Sequence, residues 1–335
     1  MIASIADALK DCQSAQGLSI RSGIADVLPS GEATTQATTA LSDRATSPAL
    51  DTSKGSAAAL EGSRPQGSPR VSRLERLVLL EHVLGRPREW LIAHAEDPLG
   101  LDEGMRFQAL LARREIGEPI AYLVGHREFF GLRLQVDEGV LIPRPETELL
   151  VETALSHAPR NSTVLDLGTG SGAIAIALAN ARHDLEVWAS DLCPRALALA
   201  QANAFQLLAA RPCPVRWFCA NWWDGLPTSR LDLVLANPPY LAADDPHLHQ
   251  GDLRFEPLVA LSDGHDGLRS IEAVLAGFAQ RANKGLIGDP GLLLVEHGAS
   301  QSAQVRRIGE TLCLRAQGTL CDLSGHPRVS VFSAP

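Results

Sequence analysis

Four consecutive residues, Asn237-Pro238-Pro239-Tyr240, carry the sharpest chemical signal in the chain. They end the run Leu231-Asp232-Leu233-Val234-Leu235-Ala236, which reads as a buried strand. Two prolines fix φ and remove two backbone donors, so the turn is rigid. Such a turn presents acceptors: the Asn237 side-chain carbonyl and the backbone carbonyls near Asn237 and Pro238. A planar NH2 group brings two N–H donors and a delocalised lone pair. Two acceptors hold both hydrogens and leave the nitrogen facing an electrophile. Tyr240 can cover the planar group and stabilise positive charge passing onto it. In-line displacement then needs placement and electrostatics, with no obligatory metal or nucleophile. The bland alternative is a plain Pro-rich turn. Position decides against it, because the C-terminal ends of such strands face the ligand crevice.

The electrophile is suggested by a second stretch, Val164-Leu165-Asp166-Leu167-Gly168-Thr169-Gly170-Ser171-Gly172. An apolar strand runs into a Gly-rich turn and on into a helix from Ala173. Glycine lets backbone approach a ligand closely, and a helix N-terminus favours an anion. The spacing is G-x-G-x-G, one residue short of the dinucleotide pattern G-x-G-x-x-G. That shift favours S-adenosylmethionine, with its methionine carboxylate as the anion, over a nicotinamide cofactor. Asp191 ends the next strand about twenty residues on and can take both ribose hydroxyls of a nucleoside. Leu192 can pack on the adenine. Asp191 can equally cap the helix beginning at Pro194, and the two roles are compatible.

Alternating strands and helices position these pieces. Strands are expected at Thr163–Leu167, Glu186–Asp191, Val215–Ala220, Leu231–Ala236 and Gly291–Glu296. Helices are expected over 172–181, 194–209 and 267–283, and stretches near 311–316 and 328–333 suit edge strands. The alternation implies a parallel sheet covered on both faces. Upstream, helical spacing begins at Leu74, and further helices are expected at Glu89–His94 and 102–116. Period-two alternation around Phe129–Val136, with turns at Gly131 and Asp137–Gly139, predicts a hairpin. Residues 2–11 suit a short amphipathic helix. Residues 18–70, rich in Ser, Ala, Thr, Gly and Pro, read as a disordered insertion. The expected division is a helical unit over 1–118, a hairpin linker over 119–146 and a catalytic domain over 147–335.

Composition bounds the function. A net charge of −9 argues against broad nucleic-acid binding. Six cysteines without a C-x-x-C pair suit a reducing compartment rather than a disulfide framework. No apolar run is long enough for a membrane span and no secretory signal is visible, so a cytoplasmic monomer is expected. Asp7, Asp11, Asp26 and Glu32 disfavour a transit peptide.

The chain resembles the HemK-like family of protein-(glutamine-N5) methyltransferases. The resemblance spans about 72–333. It rests on Asn237 to Tyr240 together with Gly117-Glu118-Pro119-Ile120-Ala121-Tyr122-Leu123, Arg127-Glu128-Phe129-Phe130, Leu141-Ile142-Pro143-Arg144-Pro145-Glu146-Thr147-Glu148, Asp245-Pro246-His247-Leu248, Gly251–Leu258 and Leu293–Gly298. It implies an α/β fold with a doubly wound, seven-stranded, mostly parallel sheet of the Rossmann-like class I methyltransferase type. A small N-terminal helical domain and a linking β-hairpin complete it. Gly168, Thr169, Gly170, Ser171 and Gly172 would bind S-adenosylmethionine, with Asp191 on its ribose and Trp222 near its adenine. Asn237, Pro238, Pro239 and Tyr240 would hold the substrate amide, with Asn237 also touching the cofactor. Asn237, Pro238 and Tyr240 would be the catalytic set. The implied substrate is the glutamine of a Gly-Gly-Gln loop in peptide chain release factors. Pro145-Glu146-Thr147-Glu148 favours release factors over the sister enzymes acting on a ribosomal protein. The chain departs from the family at Asn221, where an acid often precedes the Trp, which predicts a weaker adenine contact.

Other readings weigh less. His247, His249 and His297 lack Cys or carboxylate partners at ligand spacing, so no metal is expected. Arg144 and Arg254 are expected to pair within the chain, with Glu146 and Glu256 as partners. Trp222 stands evenly between core and site, and Trp223 reads as core. A nucleic-acid amino-methyltransferase would need a basic surface and base flipping. A non-catalytic cofactor-binding protein would not need Asn-Pro-Pro-Tyr. A dehydrogenase fails on the glycine spacing.

Overall fold

The computed structural model describes residues 4–10, 71–209 and 215–335. The expected insertion at 18–70 therefore lies outside the described residues. The first helix, α1 (Ile5–Ala8), is shorter than expected, and Arg76 ties it down by donating to the Ala8 carbonyl at 3.3 Å. Helix α2 (Arg73–Leu84) starts at a capping box: Ser72 Oγ accepts from Glu75 N–H, and the Glu75 carboxylate accepts from Ser72 N–H. α3 (Arg88–Ala93), α4 (Leu101–Glu115) and α5 (Ile120–Val124) follow. Their apolar faces meet in one small core around Leu79, Leu80, Leu91 and Phe107. Leu123 and Val124 belong to it, so the helical core continues past Glu118.

Strands β1 (His126–Phe129) and β2 (Leu132–Gln135) pair antiparallel as the expected hairpin. Phe130 and Gly131 between them both have positive φ, +51° and +73°, a two-residue turn whose twist matches the strands.

The remaining elements are α6 (Glu148–His157), β3 (Thr163–Leu167), α7 (Ala173–Ala181), β4 (Glu186–Asp191), α8 (Pro194–Leu207), β5 (Val215–Cys219), β6 (Leu231–Ala236), α9 (Leu258–Leu261), α10 (Arg269–Asn283), β7 (Ile287–Glu296), α11 (Ser302–Thr311), β8 (Arg315–Cys321) and β9 (Pro327–Ser333). The seven-stranded sheet has the order β5-β4-β3-β6-β7-β9-β8. Pairings from β5 through β7 are parallel, and β9 runs antiparallel between β7 and β8. Only one of the two expected edge strands is an edge: β8 is, whereas β9 is paired on both sides. The pairing explains its burial, with Val329 and Phe332 fully enclosed.

Alternate residues of each central strand face opposite layers. Val164, Leu233 and Leu235 pack under α6, α7 and α8; Leu165, Val234 and Ala236 pack under α10 and α11. Each fully buried aliphatic side chain contributes roughly 1.5–3 kcal/mol. Connections to either side diverge between β3 and β6, which makes the C-terminal ends of these two strands the topological switch point. No helix among the described residues is long and apolar enough to cross a membrane.

Candidate active site

A cavity of about 410 Å³ opens at that switch point. Gly168 follows β3, Asp191 ends β4 and Asn237 follows β6, and all three line it. Strand order puts β4, β3 and β6 side by side, so residues far apart in sequence converge there. The volume is within the range of small-molecule sites.

The glycine turn hangs from the neighbouring strand. Gly168 N–H and Thr169 N–H both donate to the Ser190 carbonyl at 2.9 Å. Gly168, Gly170 and Gly172 have φ of +76°, +55° and +85°, which a side chain would resist. Gly168 and Gly170 line the cavity. Thr169 and Ser171 are buried instead: Thr169 Oγ1 donates to Asp166 Oδ2 at 2.6 Å, and the Ser171 carbonyl accepts from Asn203. Gly172 serves packing, since a Cβ there would sit 2.8 Å from Ile176 Cδ1 and 3.0 Å from Ala200 Cβ. It brings α7 against α8.

Asp191 accepts from Gly170 N–H through Oδ2 and from Cys193 N–H through Oδ1, each at 2.9 Å. The capping alternative thus takes the form of a turn just ahead of α8, with Cys193 itself at the N-cap. Each carboxylate oxygen keeps a lone pair for a ligand hydroxyl. Leu192, 65 % exposed, stands at the cavity mouth. Trp222 holds a left-handed backbone, φ +52°, and its ring reaches within 3.5 Å of where a Gly168 Cβ would stand. Trp223 points into the fold and donates to the Val274 carbonyl at 3.1 Å.

Of the Asn-Pro-Pro-Tyr turn, Asn237 and Pro239 line the cavity. Asn237 Nδ2 donates to Thr147 Oγ1 at 3.0 Å, which leaves Oδ1 as an uncommitted acceptor. Two expectations change here. Pro238 is buried, and Tyr240 packs against the β6–β7 face of the core rather than covering the cavity. The reason is the pleat carried past Ala236, which sends alternate side chains to opposite sides. The Tyr240 hydroxyl lies 3.5 Å from Glu296 Oε1; burial first, then Glu296, hold it protonated by raising its pKa.

The facing wall is the 257–263 segment, including Pro257, Val259 and Ser262. Glu256 anchors it: its carboxylate is fully buried, accepts from Ile142 N–H at 3.0 Å and pairs with Arg144 at 2.5 Å. Arg114, on α4, pairs with Glu75 and Asp252, both at 2.7 Å, and so fastens the wall to the helical unit.

Comparison with known proteins matches the description "PrmC N-terminal domain" over residues 68–125 and "Methyltransferase small domain" over 144–251. A release factor glutamine methyltransferase from Bordetella pertussis is 47% identical over 268 residues, 78% of this chain and 95% of that one. The proteins of the same description from Burkholderia pseudomallei and Escherichia coli are each 44% identical; they cover 78% and 70% of this chain, and 91% and 82% of their own. The chain belongs to the release factor glutamine methyltransferase family.

Within this release factor glutamine methyltransferase family member, the cavity gathers Gly168, Gly170, Asp191, Trp222, Asn237 and Pro239 from the expected residues. Thr169, Ser171, Gly172, Pro238 and Tyr240 stand behind them. Three residues escaped the sequence reading. Asp166 is fully buried and its Oδ1 lacks a partner; desolvation raises its carboxyl to about 7. Its visible signal is an acid interrupting the apolar strand Val164–Leu167. Glu296, 1 % exposed, ends the apolar β7, and Thr147 sits in the quoted Pro145–Glu148 stretch. Arg144 takes Glu256 and not Glu146, while Arg254 donates to the Ile116 carbonyl and stacks over Phe255. His297 is buried and bonded to Ser330 and Gly298, and among the described residues no His, Cys, Asp and Glu cluster suits a metal.

Proposed function

We propose that this chain transfers a methyl group from S-adenosylmethionine to the side-chain amide nitrogen of a glutamine in a peptide chain release factor. Family membership supports the reaction and the substrate class. One observation carries the residue assignment: Asn237 keeps its carbonyl oxygen free in the same cavity as Gly168, Gly170 and Asp191.

The residues suit the cofactor. At Gly170 the backbone has positive φ and open space beside it, and at Gly168 the Trp222 ring is the nearest wall. Gly168 and Gly170 would hold the amino-acid end, Asp191 the ribose, and Leu192 and Trp222 the adenine. Asn221 also lines the cavity, where its side chain can meet the adenine amino group. When bound, S-adenosylmethionine supplies an electrophilic methyl on a sulfonium. Asn237 Oδ1 accepts one hydrogen of the glutamine NH2, and a carbonyl of the following turn accepts the other. The nitrogen is then held in the plane that faces the cofactor side of the cavity. Pro238 and Pro239 keep that acceptor pair rigid. The Tyr240 side chain backs this turn from the core side, where burial and then Glu296 keep its hydroxyl protonated.

The helical unit would meet the release factor, in a cytoplasmic, monomeric enzyme. Labelled S-adenosylmethionine offered with a release factor, with its Gly-Gly-Gln glutamine changed to alanine, and with duplex DNA tests the reading. Label on the intact factor alone is expected. Label on the altered factor, or on DNA, would reject it.

A further inference from the structure

One acid joins two walls of the cavity. On one side runs a strap, residues 139–144, of which Gly139, Val140 and Leu141 line the cavity. Val140 and Ile142 are buried in a small core with Ala121, Val136 and Ala196, and Leu141 between them is half-buried. Tyr122 of α5 holds the strap from the helical unit, donating its hydroxyl to the Val140 carbonyl at 2.5 Å. On the other side stands the 257–263 wall, and Glu256 begins it. A short turn over 253–255 leads to Glu256, and Pro257 after it favours its extended backbone, φ −89° and ψ 154°. The Glu256 carboxylate is fully buried; it accepts from Ile142 N–H on Oε2 at 3.0 Å and from Arg144 on Oε1 at 2.5 Å. Each oxygen thus holds a different residue of the strap. Among the described ion pairs, Arg144 is its one cation.

We infer that Glu256 is a positioning residue for methyl transfer: it fixes the strap against the facing wall and so sets the gap into which the substrate glutamine must reach. The cofactor end of the cavity has separate supports. The glycine turn hangs from the Ser190 carbonyl, and Asp191 is bonded to Gly170 and Cys193, bonds that do not involve Glu256. Loss of Glu256 therefore loosens the gap and spares that end. Glutamine in its place keeps the shape but offers one oxygen to two donors, and its new NH2 opposes either Ile142 N–H or the Arg144 guanidinium. Removing Arg144 instead leaves a buried carboxylate without its cation. Changing both residues removes both faults, because a glutamine facing an apolar side chain still accepts from Ile142 N–H. Replacing a whole buried pair is tolerated where breaking it is not. A leucine at the same place fills the volume but leaves Ile142 N–H without an acceptor.

The inference rests on the proposed function, and the test separates the two. Full-length Glu256→Gln, Arg144→Met and the double variants Arg144→Met/Glu256→Gln and Arg144→Met/Glu256→Leu are assayed with a release factor and S-adenosylmethionine. Calorimetry gives the cofactor Kd and the number of cofactor-binding sites, and kcat is taken per site so that unfolded chains do not enter. Wild-type enzyme that leaves the glutamine unmethylated rejects the functional reading itself. With active wild type, each single variant is expected to lower kcat about tenfold or more, with cofactor Kd within about threefold. The Met/Gln double variant should exceed both singles by about threefold or more, since the two faults cancel. The Met/Leu double variant, equally uncharged, should stay about tenfold below wild type for want of the one acceptor. Multiplying losses in the Met/Gln protein, equal kcat of the Met/Gln and Met/Leu proteins, wild-type kcat per site in the singles, or a loss confined to cofactor Kd would each overturn the inference. Should a single variant melt below assay temperature, the two double variants, which bury no unpaired charge, decide.

Discussion

Gly172→Ala tests how the glycine turn divides its labour. Gly172 sits at φ +85°, so an alanine there enters the left-handed region, at a cost of about 1–2 kcal/mol. Its new Cβ would also meet Ile176 Cδ1 at 2.8 Å and Ala200 Cβ at 3.0 Å. The isoleucine tip can swing aside; the Ala200 methyl stands on a helix and cannot. Overpacking of this kind costs about 1–3 kcal/mol, so the substitution should destabilise the protein by about 2–5 kcal/mol. Gly170→Ala is the control. It pays the same backbone penalty, φ +55°, yet meets no atom within 4 Å. Its loss should stay at about 1–2 kcal/mol. Cofactor affinity should invert the order, because Gly170 lines the cavity and Gly172 does not. Urea unfolding followed by circular dichroism, with calorimetry of S-adenosylmethionine binding, measures both. Equal stability losses for the two variants, or a Gly172→Ala protein as stable as wild type, would refute the packing argument.

Further outcomes follow from the same geometry. Asn237→Ala should retain S-adenosylmethionine binding by calorimetry while kcat falls about 10²–10³-fold, the scale for removing one preorganised hydrogen-bonding group. Asp166 has its carboxyl raised by burial from 3.8 to about 7. The folded chain therefore binds the extra proton between these values, and its stability should fall as pH rises across that window. Asp166→Asn, followed by urea unfolding from pH 4 to 8, should flatten that slope; an unchanged slope would deny Asp166 the role. Arg114→Ala removes bonds to Glu75, Asp252 and the Glu118 carbonyl. With Asp252 45 % exposed, the expected loss is only about 1–3 kcal/mol, and hydrogen exchange should quicken from Asp252 into the 257–263 wall.

The parallel strands were legible because burial on both faces leaves unbroken apolar runs, as in Leu231–Ala236. The glycine turn and Asn237 were legible because their types are local demands of positive φ and rigid acceptors. Other features depend on distant partners. β7 begins at Ile287, four residues before the expected Gly291, because Asp289-Pro290-Gly291 reads as a turn although the strand continues through an irregular register opposite Leu231 and Leu233. That β9 is interior follows from its pairing with β8, which nothing local announces. Tyr240 sits in a motif whose chemistry suggests a place over the substrate, yet the pleat turns it toward Glu296. Asp166, Thr147 and Glu296 gain their meaning only from burial and from the partners the fold brings them, Thr169, Asn237 and Tyr240 in turn.

The central claim is that the free Asn237 oxygen presents a glutamine amide nitrogen for methylation. Tandem mass spectrometry of the release factor after a single reaction cycle addresses it most directly. One added methyl on the side-chain nitrogen of the Gly-Gly-Gln glutamine with wild-type enzyme, and an unmodified glutamine with Asn237→Ala, is the predicted result. A methyl on any other residue, or the same modified glutamine at full rate with Asn237→Ala, would contradict it.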